Sequence, residues 1–450
     1  MTKAASAAAK DLAAAGVGGV HLAWADNNGI PRSRIVPIGG LADAATRGVG
    51  ATSLFAVFDS HDAITYGHSG LATPSGDIRL VPVVDRLRRL AGQPALAWAP
   101  VRQVGADGED WPYCQRAVLE RQVAEAARRG LDFRAGYELE FTVAPAGSAD
   151  IVSAPGHPGP AYSPHALVGL DAFVGALLHD FAANGLRIGQ LHAEYGLAQL
   201  ELSLAVTDPV SAADDQLLAR QTIHAAAHTH GLSVSFAPLV GLGAAGNGWH
   251  LHTSVRRKGR NLLAGDGLPV EAGAAYLAGL LRDLPALTAI TAPSVPSTLR
   301  LRPGFFAGAY AFWGVENREA PLRYVPGSTL LGDDHANVEL KTSDASANPY
   351  LALAVVLAAG MAGIEDSPAL PEPIGEDPGG WTEGERETRG VIRLPANTAE
   401  QDAALLASPR VAGVLGDELL GAFRAVRASD AGWAAERSTD EIIAAHLWRY

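Results

Sequence analysis

The sequence predicts an α+β protein, with short strands that curl into one sheet surrounded by helices, behind a smaller N-terminal β region. Three observations predict it. Short stretches with period-2 alternation put glutamates and histidines on a single strand face. Longer stretches with helical periodicity alternate with them, near 114–130, 165–184, 210–230, 271–290 and 348–363. Pro- and Gly-punctuated β segments dominate residues 17–40 and 71–104. With 450 residues, the chain is long enough for two or three domains and a large buried core.

In chain order, MTKAASAAAKDLAAAG is alanine-rich but charged and lacks an apolar run, so it reads as a helix and not a signal peptide. Residues 17–40 read as strand, turn, strand, with Asp26-Asn27-Asn28-Gly29 as the turn. The polar turn at 106–110 marks a domain boundary. CQRAVLERQVAEAARRG follows as a helix stopped by Gly130. Residues 366–390 form a Pro/Gly/acid-rich loop, and the tail from Asn397 is helical. There is no internal repeat, and no uninterrupted apolar run long enough to predict a membrane span. A net charge of −13 argues against a nucleic-acid-binding surface. The one cysteine, Cys114, excludes an internal disulfide and fits a reducing, cytoplasmic setting.

The chemistry shows strand by strand. In GYELEF, Glu138 and Glu140 share a face. In LRIGQLHAE, Gln190, His192 and Glu194 share one, and beyond the Tyr195-Gly196 turn Gln199, Glu201 and Ser203 share another. Glu194 and Glu201 therefore fall on the same face of a hairpin. In GNGWHLHTS, His250, His252 and Ser254 alternate with Trp249 and Leu251; in ANVELKTSD, Asn337, Glu339 and Lys341 alternate with Val338 and Leu340. Carboxylates held side by side repel unless a cation lies between them. Oxygen-rich ligands with a histidine favour Mg²⁺ or Mn²⁺, and the number of carboxylates points to more than one ion. Arg300 and Arg302 flank Pro303-Gly304, and Arg318 and Arg323 lie in WGVENREAPLR. Metals beside arginine forks describe phosphoryl transfer from a nucleotide. GLGAAGNG lacks a P-loop ending, and His224, His228 and His230 are read as structural or surface residues.

In this order the motifs resemble the glutamine synthetase superfamily. GYELEF is similar to its E-x-E-F strand and HAEYGLAQLEL to its H-x-E…Q-x-E segment. GNGWHLHTS, ENREAPLR and VELKTSDASANPYLAL are similar to its later motifs, and Asp26, Gly29 and Arg32 to an N-terminal one. The resemblance spans nearly the whole chain. It implies a β-grasp domain over 1–108 and a catalytic domain over 109–450, with a curved antiparallel sheet flanked by helices. It implies one metal site at Glu140, Glu194 and Glu201 and a second at Glu138, His250 and Glu339. His252 and Ser254 would face the phosphates of ATP, with Arg318 and Arg323 contacting phosphate and acyl group. Arg300, Gly246 and Lys341, with Glu140 and His250, would border the amino-acid substrate. The family activates a carboxylate as an acyl phosphate and then couples an amine to it. Its members form stacked hexameric rings, often dodecamers, with active sites between subunits.

The departures point away from ammonia. In RLRPGFFAG, Phe306 stands where glutamine synthetases carry the flap glutamate that receives ammonium. The ammonium-binding aspartate motif is absent, leaving Asp59 in VFDSHD as the candidate. Ala245 and Lys341 replace an asparagine and an arginine that grip glutamate. Ile392 replaces the tyrosine that some members adenylylate. Phe305, Phe306, Tyr310 and Trp313 would line the flap region. The expected activity is an ATP- and Mg²⁺-dependent ligase joining glutamate to a small organic amine of the polyamine, ethanolamine or alkylamine type, with no membrane or nucleic-acid partner. The alternatives are a glutamine synthetase using ammonia and a non-catalytic regulator of the same fold.

Overall fold

The computed structural model describes residues 2–148, 151 and 159–450. Two sheets organise them. The first is mixed and follows the order Pro31–Pro37, Gly19–Ala25, Leu96–Val104, Asp77–Pro82, Val49–Thr52, with Arg88–Arg89 also pairing with Leu96–Val104. Gly19–Ala25 runs antiparallel to Pro31–Pro37 and parallel to Leu96–Val104. The expected turn at 26–29 joins the first pair. Asp26 Oδ1 accepts the Asn28 and Ile30 N–H groups, and Oδ2 pairs with Arg32 at 2.8 Å.

The second sheet has nine strands. Its path is Trp313–Val315, Leu322–Val325, Asn337–Leu340, Leu251–Arg257, Leu131–Pro145, Gln199–Leu204, Ile188–Ala193. Pairing is antiparallel except at the edge, where Trp313–Val315 runs parallel to Leu322–Val325. One face of its strands is apolar: Tyr137, Leu139, Phe141, Leu200, Leu202, Leu251 and Leu340 are all buried. Helices Gln115–Arg128, Pro209–Thr229, Glu271–Thr291 and Pro349–Asp366 form the core with it. The other face carries the titratable residues, as the alternation predicts.

Pro349–Asp366 is long and apolar enough to cross a membrane, yet 72% of it is buried inside the protein as a core helix. It crosses Glu271–Thr291 backbone to backbone, because a Cβ on Gly279 would lie 2.5 Å from the Gly363 Cα. Asn348 caps it, accepting the Tyr350 and Leu351 N–H groups, while its own amide donates to the Ala25 and Asp26 carbonyls. Gly29, at φ 67, lies so close to Ala347 that a Cβ would come 2.4 Å from its carbonyl oxygen. Arg220 bridges Gly29 O and Ala345 O. The first sheet is thus anchored to the segment that starts the core helix.

The expected 366–390 loop contains two short regular pieces, the 3-10 turn Pro378–Gly380 and helix Glu383–Thr388, the latter started by a Thr382/Glu385 capping box. The helical tail comprises Thr398–Ala407, Pro409–Ala434 and Thr439–His446. His446 packs under it, 1% exposed, bonding Ile442 O and lying 3.3 Å from Ser60 Oγ.

Candidate active site

Strand register places the site. Along Leu131–Pro145, Glu138 faces Ser203 and Glu140 faces Glu201, which in turn faces His192 on Ile188–Ala193. On the other side His252 is opposite both Gly136 and Glu339. The Glu138 and Glu140 N–H groups donate to His250 O and Gly248 O. The polar faces of five strands therefore converge on two groups. Glu138, His252 and Glu339 form one and Glu140, Glu194 and Glu201 the other, with ligand atoms within 4.8 Å of one another in each.

His250 links the groups. Its Nδ1 lies 3.3 Å from Glu138 and 3.2 Å from Glu339, and its Nε2 lies 3.6 Å from Glu140. The sequence reading assigns His250 to the second site. Geometry puts both imidazoles there, with His252 Nε2 3.3 Å from Glu138 and its Nδ1 bonded to Asn337.

Electrostatics follow from this crowding. Burial raises the Glu138 carboxyl, but His250 and His252 outweigh it and hold the group well below the usual range. Glu140 goes up, chiefly through burial and then through Glu201. Burial and Lys341 push His250 down; Glu138, Glu339 and Glu140 overcome them and lift it to about 9. His192 also rises to about 9, led by its hydrogen bond to Glu201. Protons on imidazoles thus balance the carboxylates, a role a divalent cation would take over with proton release.

The donor set fits Mg²⁺ or Mn²⁺, being carboxylate oxygens with an imidazole. Gly248 keeps the space open: a Cβ there would lie 2.4 Å from His250 Nε2 and 2.9 Å from Glu140 Oε1. The Gly248 N–H donates to Glu140 at 2.7 Å.

Cationic residues border the groups. Arg323 and Lys341 reach Glu339 at 3.0 and 3.3 Å. Arg300 is buried against Gly246, bonds Ser343 O at 2.8 Å and leaves its Nε without an acceptor. Arg318 is exposed and has no ion-pair partner among the described residues. Ser254 is buried two residues beyond His252 on the same strand. A cavity of ≈ 320 Å³ opens beside Ala245 and is also lined by Thr142, Tyr195, Leu197, Gln199 and Leu242.

The flap differs from expectation in part. Phe305 and Phe306 are 44% and 63% exposed, and Phe306 adopts φ 52. Tyr310 and Trp313 are buried, Tyr310 under Arg386 and Trp313 bonded to Pro371 O, so they support the region and do not line it. Asp59 is not brought to the metal groups within this chain. Its Oδ1 accepts the His61 and Ala63 N–H groups and its Oδ2 the Ser429 hydroxyl, so it is spent on its own turn and a C-terminal helix.

Four residues join the site without a role from sequence. Gln199 donates to Glu140, Gly246 O and Asn247, and its place two residues before Glu201 is a usable signal. His192 likewise faces Glu201 by strand register. The Tyr162 hydroxyl bonds Glu194, and burial with the nearby carboxylates raises its pKa. Tyr162 lies outside any strand, so no period could have found it. Glu319 sits beneath the flap, and burial followed by Asp377 pushes its carboxyl up to about 7.

Residues 112–443 match the family described as glutamine synthetase, catalytic domain. The chain belongs to the glutamine synthetase family of ligases. It is 44% identical over 451 residues to a gamma-glutamylpolyamine synthetase of Streptomyces coelicolor, covering 99% of this chain and 96% of that one. It is 29% identical over 387 residues to a glutamine synthetase of Pyrococcus abyssi, covering 85% and 83%. A crystal structure of a glutamine synthase homolog superposes with TM-score 0.85 at 30% identity, over 96% of this chain and 99% of that one.

Proposed function

We propose that this protein is an ATP-dependent ligase that joins the γ-carboxylate of glutamate to an organic amine. One observation carries it above all: a complete carboxylate–imidazole cradle stands beside a flap whose position 306 is phenylalanine. The identity to a gamma-glutamylpolyamine synthetase supports an amine substrate of the polyamine class.

Glu140, Glu194 and Glu201 would hold one divalent ion, and Glu138, Glu339 and His250, with His252 alongside, another. Bound there, the ions would screen the triphosphate and draw electron density from the transferring phosphorus. Arg318 and Arg323 neutralise charge on the phosphoryl oxygens, and His252 and Ser254 face the phosphates. Arg300, Lys341 and the Gly246 backbone hold the glutamate. A γ-carboxylate oxygen attacks the terminal phosphorus, the bond to ADP breaks, and a γ-glutamyl phosphate forms. The amine nitrogen then attacks the acyl carbon, and phosphate leaves as the nitrogen gives up a proton. Exposed Phe305 and Phe306 lend an apolar cover to the methylenes of an alkyl chain. As in the family, we place the active sites between subunits of stacked hexameric rings, which sizing by light scattering tests.

The test is phosphate release with glutamate, MgATP and a panel of ammonium, alkylamine, ethanolamine and polyamines. Polyamines are expected to outrun ammonium. Faster turnover with ammonium than with every organic amine overturns the assignment.

A further inference from the structure

One carboxylate beneath the flap has no part in the scheme above. Glu319 is 6% exposed. Its Oε2 accepts the Phe306 N–H at 2.8 Å, the Gly304 N–H also favours its charged form, and its Oε1 is buried with no hydrogen-bond partner. A buried carboxylate oxygen without a partner is costly, and a cation is what satisfies it.

The surroundings fix this group in place. Asn317 Oδ1 accepts the Glu319 N–H at 2.9 Å, and the Asn317 amide donates to Ile374 O and Glu376 O. The turn is thereby clamped between the flap and residues 374–377. Asp377 adds a second negative charge that repels Glu319. The flap base lies against the next turn, since a Cβ on Gly379 would come 2.9 Å from the Pro303 Cβ. Among the described residues, neither Glu319 nor Asp377 forms a salt bridge. Lys341 is near enough to favour the charged form of Glu319, but its ammonium is directed at Glu339. A desolvated carboxylate therefore lies beneath two exposed phenyl rings, with Asp377 close by, while the Arg302 guanidinium sits over the Phe305 ring at 4.3 Å with its Nε and Nη2 unpaired.

Resting on the amine-ligase reading, we propose that Glu319 binds the alkylammonium substrate beneath the flap, supplying from the 317–320 turn the charge that position 306 lacks. Oε2 holds the flap through the Phe306 N–H, and Oε1 receives an ammonium N–H. The bound nitrogen is either the reacting one or the second ammonium of a diamine. In the first case an ammonium N–H proton passes to Oε1, and the freed lone pair attacks the acyl carbon. In the second the carboxylate only anchors the far end of the chain.

The test is Glu319→Gln, which keeps an acceptor for Phe306 and removes the charge. Steady-state kinetics would be run with an alkyl monoamine, a diamine of equal length and hydroxylamine, a nucleophile uncharged at neutral pH. The amine KM is expected to rise about 10- to 100-fold, as for loss of a charge-assisted hydrogen bond, with ATP and glutamate KM changing far less. The loss with hydroxylamine is expected to be at least about tenfold smaller. A loss with both amines assigns the reacting nitrogen; a loss with the diamine alone assigns the second ammonium. An unchanged amine KM overturns the proposal, as does an equal loss with hydroxylamine, which would mean that Glu319 only props the flap. If Glu319→Gln does not fold, Glu319→Asp keeps the charge at shorter reach and is expected to weaken amines more than hydroxylamine. If the wild type prefers ammonium to every organic amine, the amine-ligase reading fails by itself, and Glu319→Gln is then read on the ammonium KM.

Discussion

In the cradle on the curved sheet every carboxylate is answered by an imidazole, an amide, a hydroxyl or a cation, whereas beneath the flap Glu319 keeps one oxygen unanswered. The cradle is built from strands, and its geometry follows from register: Glu140 cannot leave Glu201 without shifting a whole strand pair. The flap is built from turns, where Phe306 and Glu316 hold positive φ and side chains change without disturbing a ladder. On the function proposed above, the difference separates the chemistry common to a family, which needs strand precision, from acceptor choice, which loops can alter.

The sharpest break of that comparison is Glu140→Ala. Phosphate release is expected to fall more than about 1000-fold in a coupled assay. A loss under about tenfold would mean that phosphoryl transfer does not depend on this cradle.

Acid pH tests the scaffold apart from the cradle. Burial, ahead of every other influence, lowers His446 from 6.5 to about 4, so it is neutral in the folded protein. The unfolded chain takes up a proton there below about 6.5. This contribution is therefore intact above 6.5 and is lost as pH falls toward 4, at a cost of about 3 kcal/mol. Urea melts at neutral pH and near pH 4.5 check it, and His446→Gln should flatten the slope. Activity lost with that melt belongs to the scaffold and not to the site.

Lys341→Ala comes next. It is expected to raise the glutamate KM about 10- to 30-fold, with a smaller effect on ATP, and Lys341→Arg should recover most of it. An equal rise for ATP would move Lys341 from the acid substrate to the metal groups.

The smallest effect is expected from Phe306→Glu. It should shift kcat/KM toward ammonium, relative to an alkylamine, by about tenfold or less. No shift would mean that position 306 does not choose the acceptor.

The cradle was legible because alternation is local: Glu138 with Glu140, and His250 with His252, announce a shared face within three residues. The helices were legible from period, with a start near 348 for the core helix and a stop at Gly130, whereas the Asn348 cap came from the structure. What escaped is what tertiary closure assembles. Tyr162 reaches Glu194 from an irregular segment, and Glu319 owes its burial to a flap and a 374–377 segment distant in sequence. Asp59 shows the converse: within this chain a carboxylate in a suggestive string closes its own turn. Tyr310 and Trp313 are buried and not exposed at the flap, since an aromatic side chain packs inward as readily as it lines a pocket.

The Asn348 cap has a kinetic consequence. One amide starts the most buried helix and grips Ala25, 323 residues earlier in the chain. The N-terminal sheet is therefore synthesised long before this anchor exists, while the apolar Pro349–Asp366 segment is covered chiefly by helices Glu271–Thr291 and Gln115–Arg128. Chains halted before Asn348 should present an undocked N-terminal sheet, open to limited proteolysis at the Asp26–Gly29 turn. Maturation would then be timed by completion of the chain, with docking of its first sheet among the last steps.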